Sequence, residues 1–170
     1  MSLFDTLADL EANDDLHIGR LLVLLTTFAG RKGTGTVGGL TKLAKLDFLL
    51  RYPVYLERAL TKRNAGQDVP QVDVQEHERT SVESSMIRFK YGPWDPRYRR
   101  FLNLMIAKGL VNVVVEGKTY RIGLTSRGLD VGRQITTAES NRDVTKRSQL
   151  LKRHFDLTAA GFALAAIQGQ

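Results

Sequence analysis

The sequence predicts a mainly α-helical fold with one small antiparallel β-hairpin. Apolar residues recur at helical spacings of three and four along most of the chain, whereas residues 111–124 alternate as paired strands do. With 170 residues and 42% hydrophobic content, the chain is long enough for one ordinary core or for two small helical lobes that share one.

The N-terminal region, residues 1–63, is predicted to be helical. Its helices are expected near residues 15–30, 40–51 and 53–63. The first is apolar at nearly every position after Arg20, which suits a helix buried on several sides, although a buried strand would show the same pattern. Asp14 or Asp15 is expected as its N-cap.

The second helix carries apolar residues on one side and charged residues on others. The apolar positions are Leu40, Leu43, Ala44, Phe48 and Leu50, and the charged ones are Lys42, Lys45 and Asp47. Tyr52 ends this helix because a residue before proline avoids the α region, and Pro53 suits the first turn of the next one. Residues 64–81 are polar and are predicted to form a linker or exposed loop.

Residues 82–137 have the clearest local signals. A helix is expected to open at Pro96 or Arg97, with Asp95 as N-cap. Its apolar stripe comprises Tyr98, Phe101, Leu102, Met105 and Ile106. Gly109 then offers a left-handed C-terminal position, a hairpin turns at residues 116–118, and Thr125 caps another helix.

Helix, glycine, two-stranded wing and capped helix follow one another in the order of a winged-helix domain. The helix before the hairpin is then the candidate recognition helix. Residues 138–170 are predicted to form a C-terminal helical segment, so that flanking helices stand on both sides of the winged unit.

The net charge of +7 is concentrated in the middle of the chain. Residues 86–133 hold 10 basic and 3 acidic side chains, while residues 1–85 hold 10 and 12. Such a basic block suits a nucleic-acid contact, and it also suits an acidic protein partner. The chain has no cysteine, no apolar stretch long enough to cross a membrane and no secretory signal, so we expect a cytoplasmic protein.

No catalytic constellation is predicted. The glycines of "GTGTVG", residues 33–38, match G-x-G-x-x-G, but the acidic residue expected about 20 positions later, Glu57, falls within a predicted helix. A flexible interhelical loop is the preferred interpretation. His17, His77 and His154 stand apart from one another, so no metal site, cofactor or enzymatic activity is expected.

The basic block supplies the candidate nucleic-acid-binding residues. They are Lys90, Arg97, Arg99, Arg100, Lys108, Lys118 and Arg121. Arginines at a helix N-terminus would combine side-chain charge with exposed backbone amides. In the alternative interpretation, the neighbouring aromatic residues form a small cluster and the arginines are solvated or meet an acidic partner.

Other residues are candidates for docking a protein partner. They are Tyr91 and Trp94 before the recognition helix, and Leu157, Phe162, Leu164 and Ile167 in the apolar C-terminal segment. Small residues in that segment would allow close helix packing against a partner or in a homodimer. Packing on the chain's own core is the alternative.

Three stretches together resemble a known family. They are "LTKLAKLDFLLRYPVYLERAL" (40–60), "MIRFKYGPWDPRYRRFLNLMIAKGLV" (86–111) and "GLTSRG" (123–128). They look like the middle component of ABC three-component systems, which are small winged-helix proteins of bacterial defence operons. These operons also encode an SMC- or Rad50-like ATPase and, in Lamassu-type systems, a nuclease effector.

The resemblance implies a non-catalytic bridging subunit in anti-phage or anti-plasmid defence. Such a subunit would dock on the ATPase and help couple DNA sensing to the effector. The competing hypothesis is a stand-alone winged-helix transcription regulator, which would bind a palindromic DNA site as a dimer.

Overall fold

The computed structural model describes residues 2–79 and 96–156. The helices are α1 (Leu3–Ala29), α2 (Leu40–Arg51), α3 (Pro53–Lys62), α4 (Val69–Val72), α5 (Glu76–Arg79), α6 (Arg97–Ala107), α7 (Ser126–Thr137) and α8 (Arg142–Phe155). The strands are β1 (Val37–Gly38), β2 (Val111–Glu116) and β3 (Thr119–Leu124). The predicted mainly α-helical class with a small antiparallel sheet is therefore confirmed.

The sheet has three strands in the order β1-β3-β2, and both pairings are antiparallel. β2 and β3 form the predicted hairpin, with Gly117 at a positive φ of 64° in its turn. β1 was not predicted, because a two-residue strand is too short to show alternation. It pairs Val37 with Ile122, so part of the expected flexible glycine-rich loop is instead fixed to the sheet.

α6 begins as the sequence predicts, at Arg97. The stripe of Tyr98, Phe101, Leu102 and Met105 is buried, but Ile106 is 43% exposed and does not belong to it. The N-cap position is occupied by Pro96, which makes no side-chain capping bond, while the expected cap Asp95 lies outside the described residues.

α1 starts twelve residues before the predicted position, and the expected N-cap at Asp14 or Asp15 was wrong. Ser2 is the N-cap. Its hydroxyl accepts from the Asp5 amide, and the Asp5 carboxylate accepts from the Ser2 amide, which forms a capping box. Since this bonding fixes an earlier start, α1 runs for 27 residues.

α2 is buried on more than one side, so two of the charged residues that were predicted to lie away from its apolar side are buried as well. Lys42 is 7% exposed and Asp47 is fully buried. Both have a charged partner: Lys42 donates to the exposed Asp156 at 3.3 Å, and Asp47 accepts from Arg20 on α1. A buried charge needs such a partner because desolvation is costly.

Residues 64–79 were expected to be an exposed linker, and the structure packs them instead. A 3₁₀ turn, Gly66–Asp68, leads into α4, whose Val72 is buried in the core. The cause is α8, where the buried Arg147 donates to two backbone carbonyls of this segment and to Glu78. The described parts of all four predicted regions contribute to one hydrophobic cluster.

The start of α7 fixes the hairpin against the body of the protein. Thr125 caps the helix as predicted, with its hydroxyl accepting from the Gly128 amide at 3.0 Å. Gly128 lies so close to Leu110 that an added Cβ would be 1.8 Å from the Leu110 carbonyl oxygen. Only glycine at position 128 therefore allows the α7 backbone to lie this close to the Leu110 carbonyl. Gly109 adopts the predicted left-handed conformation, with φ 72°.

Within the described ranges, every helix is too short or too polar to cross a bilayer.

Candidate nucleic-acid interface

The first turn of α6 presents three arginines in three different environments. Arg97 is half-buried, with its guanidinium 5.9 Å from the centre of the Phe101 ring. Arg100 lies 5.6 Å from the centre of the same ring and forms an ion pair with Asp14 of α1. Arg99 is exposed. The structure therefore brings Arg97 and Arg100 together around one ring and leaves Arg99 facing solvent.

The β2–β3 hairpin carries its predicted basic residues on the surface. Lys118 is exposed in the turn between β2 and β3. Arg121 is 52% exposed and donates from Nε to Glu116 at 2.6 Å. Arg121 is paired across the hairpin with Val114, so Val114 shares its face of the sheet.

Lys108 is exposed at the C-terminal end of α6. An α-helix rises about 1.5 Å per residue, so Lys108 lies about 16 Å along the axis from Arg97. The described candidates thus spread along α6 and onto the tip of the β2–β3 hairpin and do not form a compact cluster.

Several predicted residues lie outside the described part of the chain. They are Lys90 among the nucleic-acid candidates, and Tyr91, Trp94, Leu157, Phe162, Leu164 and Ile167 among the docking candidates.

A buried polar cluster behind α6 was not predicted. At its centre, both carboxylate oxygens of Asp47 accept from Arg20, at 2.5 and 2.9 Å. The Tyr98 hydroxyl also donates to Asp47, from the buried face of α6. Burial, followed by the neighbouring Asp47 charge, raises the pKa of Tyr98, so the phenol stays protonated as the donor. This cluster joins α1, α2 and α6.

His17 extends the cluster on α1. Its Nδ1 lies 2.6 Å from Nη2 of Arg20. Because a guanidinium can only donate, Nδ1 must be the acceptor and the ring must be neutral, with its hydrogen on Nε2. The ring stacks on Phe101, with centroids 4.9 Å apart. Burial, followed by the charges of Arg20, Arg51 and Arg97, lowers the pKa of His17 to about 4.

The sequence contained a signal for this cluster. Asp47 stands four residues after Leu43 and three before Leu50, both of which are buried. Helical periodicity therefore places Asp47 on the apolar side of α2. A charged residue at such a position indicates a buried ion pair, but its partner Arg20 lies 27 residues away.

The lowered pKa of His17 predicts a loss of stability in mild acid. The unfolded chain takes up a proton near pH 6.5, whereas the folded chain does so only near pH 4. The unfolded state binds more protons between these values, so the free energy of unfolding should fall as pH decreases through this window. Urea unfolding across the window measures this dependence.

The matched variant is His17→Gln, which keeps an acceptor for Arg20 but does not titrate. Its free energy of unfolding should fall less steeply than that of the natural chain over the same pH range. Identical slopes for the two proteins would show that His17 protonation does not contribute.

The other two histidines lie apart from this cluster. His154 on α8 lies 2.7 Å from Asp68, and His77 is exposed on α5. Across residues 2–79 and 96–156, no group of three or more histidine, cysteine or acidic side chains is arranged to hold a metal ion.

No protein-family model, curated protein or solved structure matches this chain.

Proposed function

We propose that this protein is a non-catalytic winged-helix subunit that contacts DNA phosphates and bridges an SMC- or Rad50-like ATPase to an effector in bacterial defence. The observation that carries the winged-helix part is the sheet order β1-β3-β2, with α6 directly before the hairpin. In a winged helix, a short strand after the first helix joins the two wing strands in this way.

The connectivity supports α6 as the recognition helix. α1, β1 and α2 precede it, and β2 and β3 follow it. The segment between α2 and α6 then forms an insertion, which includes α3, α4 and α5. The winged unit proposed here is therefore larger than residues 82–137, since it includes the N-terminal helices.

The charges on α6 and the wing support a contact with phosphates. Arg99 and Lys118 are exposed, and Arg121 is half exposed on the wing. Arg100 is held by Asp14, so its charge is partly neutralised in the isolated chain. Arg99 and Lys118 are accordingly the strongest of the described candidates for phosphate contacts.

Exposed apolar side chains support a protein partner. Val114 and Val115 near the wing tip are 60% and 76% exposed, and they face opposite sides of the hairpin. On α1, Phe4 is 82% exposed and Leu16 is 72% exposed. Exposed large apolar side chains on two separate elements, α1 and the hairpin, suit a subunit that connects two other components.

The non-catalytic part of the proposal rests on the hydrogen-bond partners of the titratable side chains in the buried polar cluster. Asp47, His17 and Tyr98 would suit acid or base chemistry, but both oxygens of Asp47, Nδ1 of His17 and the Tyr98 hydroxyl contact one another or Arg20. These contacts hold α1, α2 and α6 together, which is a structural role.

Fluorescence anisotropy with duplex DNA tests the phosphate contacts. The double variant Arg99→Gln/Lys118→Gln should bind about tenfold more weakly in low salt, and the slope of log affinity against log salt should flatten by about two, because each phosphate contact releases about one counterion. The matched control is Arg142→Gln/Lys146→Gln, which removes the same charge from the exposed surface of α8.

Equal weakening by the control would show that net charge alone explains DNA binding. The neighbouring genes should be inspected for an SMC- or Rad50-like ATPase, and DNA binding should be measured with the chain alone and together with that ATPase. Binding that requires the ATPase supports the bridging subunit. If the chain alone protects a palindromic operator with dimer spacing, it is a winged-helix transcription regulator instead.

A further inference from the structure

An open cavity lies beside the first turn of α6, where α1 and the end of α2 meet it. Its volume is about 450 Å³. The residues that line it are Asn13, His17, Arg20, Arg51, Tyr52 and Arg97. Asn13, His17 and Arg20 follow one another at helical spacings of four and three, so they lie on one face of α1.

The lining is strongly cationic. Three guanidinium groups reach the cavity, one from each of α1, α2 and α6. No carboxylate is among the described residues that line the cavity, and Asp47, which lies behind Arg20, is fully buried. Three arginines and no carboxylate in this lining suit an anionic ligand.

The contacts of Asp47 fix the positions of Arg20 and His17, which line the cavity from α1. Arg20 is held by two bonds to Asp47, and a third contact, from Nη2 to His17 Nδ1, orients the imidazole. His17 therefore keeps its hydrogen on Nε2 and adds a neutral donor. The low pKa of His17, which arises from burial and then from the three arginines, reflects the same positive environment.

We propose that this cavity binds a phosphate group, carried either by a nucleotide or by the 5′ end of a DNA strand. Arginine suits such a ligand because its planar fork donates two parallel hydrogen bonds to phosphate oxygens. The volume falls within the range of about 300–1,000 Å³ that is usual for small-molecule sites. A terminal phosphate fits a concave site better than the smooth backbone of a duplex does.

This site is separate from the proposed duplex contacts. Those contacts depend on Arg99 and Lys118, and neither residue lines the cavity. The two proposals share only α6, so one can fail while the other stands.

Isothermal titration calorimetry on the full chain tests the site, with AMP and with short single-stranded DNA that carries either a 5′-phosphate or a 5′-hydroxyl. Arg97→Gln and Arg51→Gln should each weaken phosphate binding at least about tenfold, because each removes a charged donor pair. Arg127→Gln is the matched control, since it removes the same charge from the exposed surface of α7, outside the cavity. It should change the affinity by less than about twofold.

The ligand arms identify the source of the phosphate. If AMP binds, the site accepts a free nucleotide. If only the 5′-phosphorylated DNA binds, the site binds the phosphate at the 5′ end of a DNA strand. No binding of either, or equal weakening by Arg127→Gln and Arg97→Gln, would overturn the proposal.

A measurement on the natural chain needs no substitution, so misfolding of a variant cannot explain its result. The imidazole resonances of His17 should shift when AMP or the 5′-phosphorylated strand is added, while those of exposed His77 should not. If the His17 signals do not move under saturating AMP and under saturating 5′-phosphorylated DNA, the cavity is not the phosphate site.

Discussion

Replacing Asp47 with asparagine should lower the free energy of unfolding by about 3 kcal/mol, because it removes one partner of a buried ion pair and leaves the other charge behind. Asp47 is fully buried and accepts three hydrogen bonds, two from Arg20 and one from Tyr98. Asparagine has the same shape but only one oxygen, so at least one of these donors loses its acceptor. Urea unfolding at neutral pH gives the difference.

The control for this variant is Asp130→Asn, which makes the same chemical change at an exposed position of α7. Its effect should stay within about 0.5 kcal/mol. A loss for Asp47→Asn that is no larger than that of the control would mean that the cluster does not hold α1, α2 and α6 together.

A double-mutant cycle separates the ion pair from packing. Arg20→Met removes the guanidinium but keeps much of the aliphatic stem. If charge pairing causes the loss, Asp47→Asn should cost less in the Arg20→Met background than in the natural chain, with a coupling of about 1–3 kcal/mol. Additive effects would assign the loss to packing.

The features that the sequence predicted correctly depend on local physics. The start of α6, the hairpin and the Thr125 cap each follow from a few neighbouring residues. Gly109 could be placed because helices commonly end on a glycine at positive φ, and it has φ 72°. Such signals need no knowledge of the rest of the fold.

The start of α1 was missed although its signal is also local. Ser2 and Asp5 form a capping box, while the acidic pair at Asp14 and Asp15 offered a competing cap just before the apolar run. Sequence alone does not decide between two caps that are separated by residues able to continue a helix. The bonding of Ser2 decides it in favour of the earlier start.

The polar cluster and the packed segment could not be predicted fully because they depend on distant residues. Periodicity places Asp47 on the apolar side of α2, but Tyr98, which donates to it, stands 51 residues later in the chain. Arg100 likewise pairs with Asp14, 86 residues away. The sequence shows which residues are charged, and only the fold shows which charges meet.

Residues 64–79 illustrate the same limit. Their polar composition predicts an exposed loop, and most of their side chains are indeed exposed or half-buried. What holds the segment in place is its backbone, which accepts hydrogen bonds from Arg147 at Val72 and Asp73. Composition carries no information about such contacts.

Replacing Arg147 with methionine should release this segment and lower the free energy of unfolding by about 3 kcal/mol, since it removes a buried charge from a fully bonded site. Arg147 is 4% exposed and donates to the Val72 carbonyl at 2.8 Å, to the Asp73 carbonyl at 2.9 Å and twice to Glu78 at 3.0 Å. Methionine keeps the apolar stem but none of the donors.

Glu78 reports on the same contact. Its burial is the largest single effect and opposes ionisation, but the hydrogen bonds from Arg147 and from the Gln75 amide, with the charges of Arg147 and His77, together outweigh it and hold the pKa of Glu78 below its usual value. In Arg147→Met the pKa of Glu78 should rise, because burial then acts without its counterion. Carboxyl chemical shifts during a pH titration measure this change.

Hydrogen exchange separates local release from general destabilisation in Arg147→Met. Local release should speed exchange in α4 and α5 while α6 keeps its protection, because α6 has no bond to Arg147. Lys146→Met is the matched control, since it removes the exposed neighbouring charge of α8 and should leave both regions unchanged. If α4 exchanges at its natural rate in Arg147→Met, the contacts of Arg147 do not hold the segment, and its packing must come from the buried Val72 and from other contacts such as those of His154 with Asp68 and of Arg79 with Glu57.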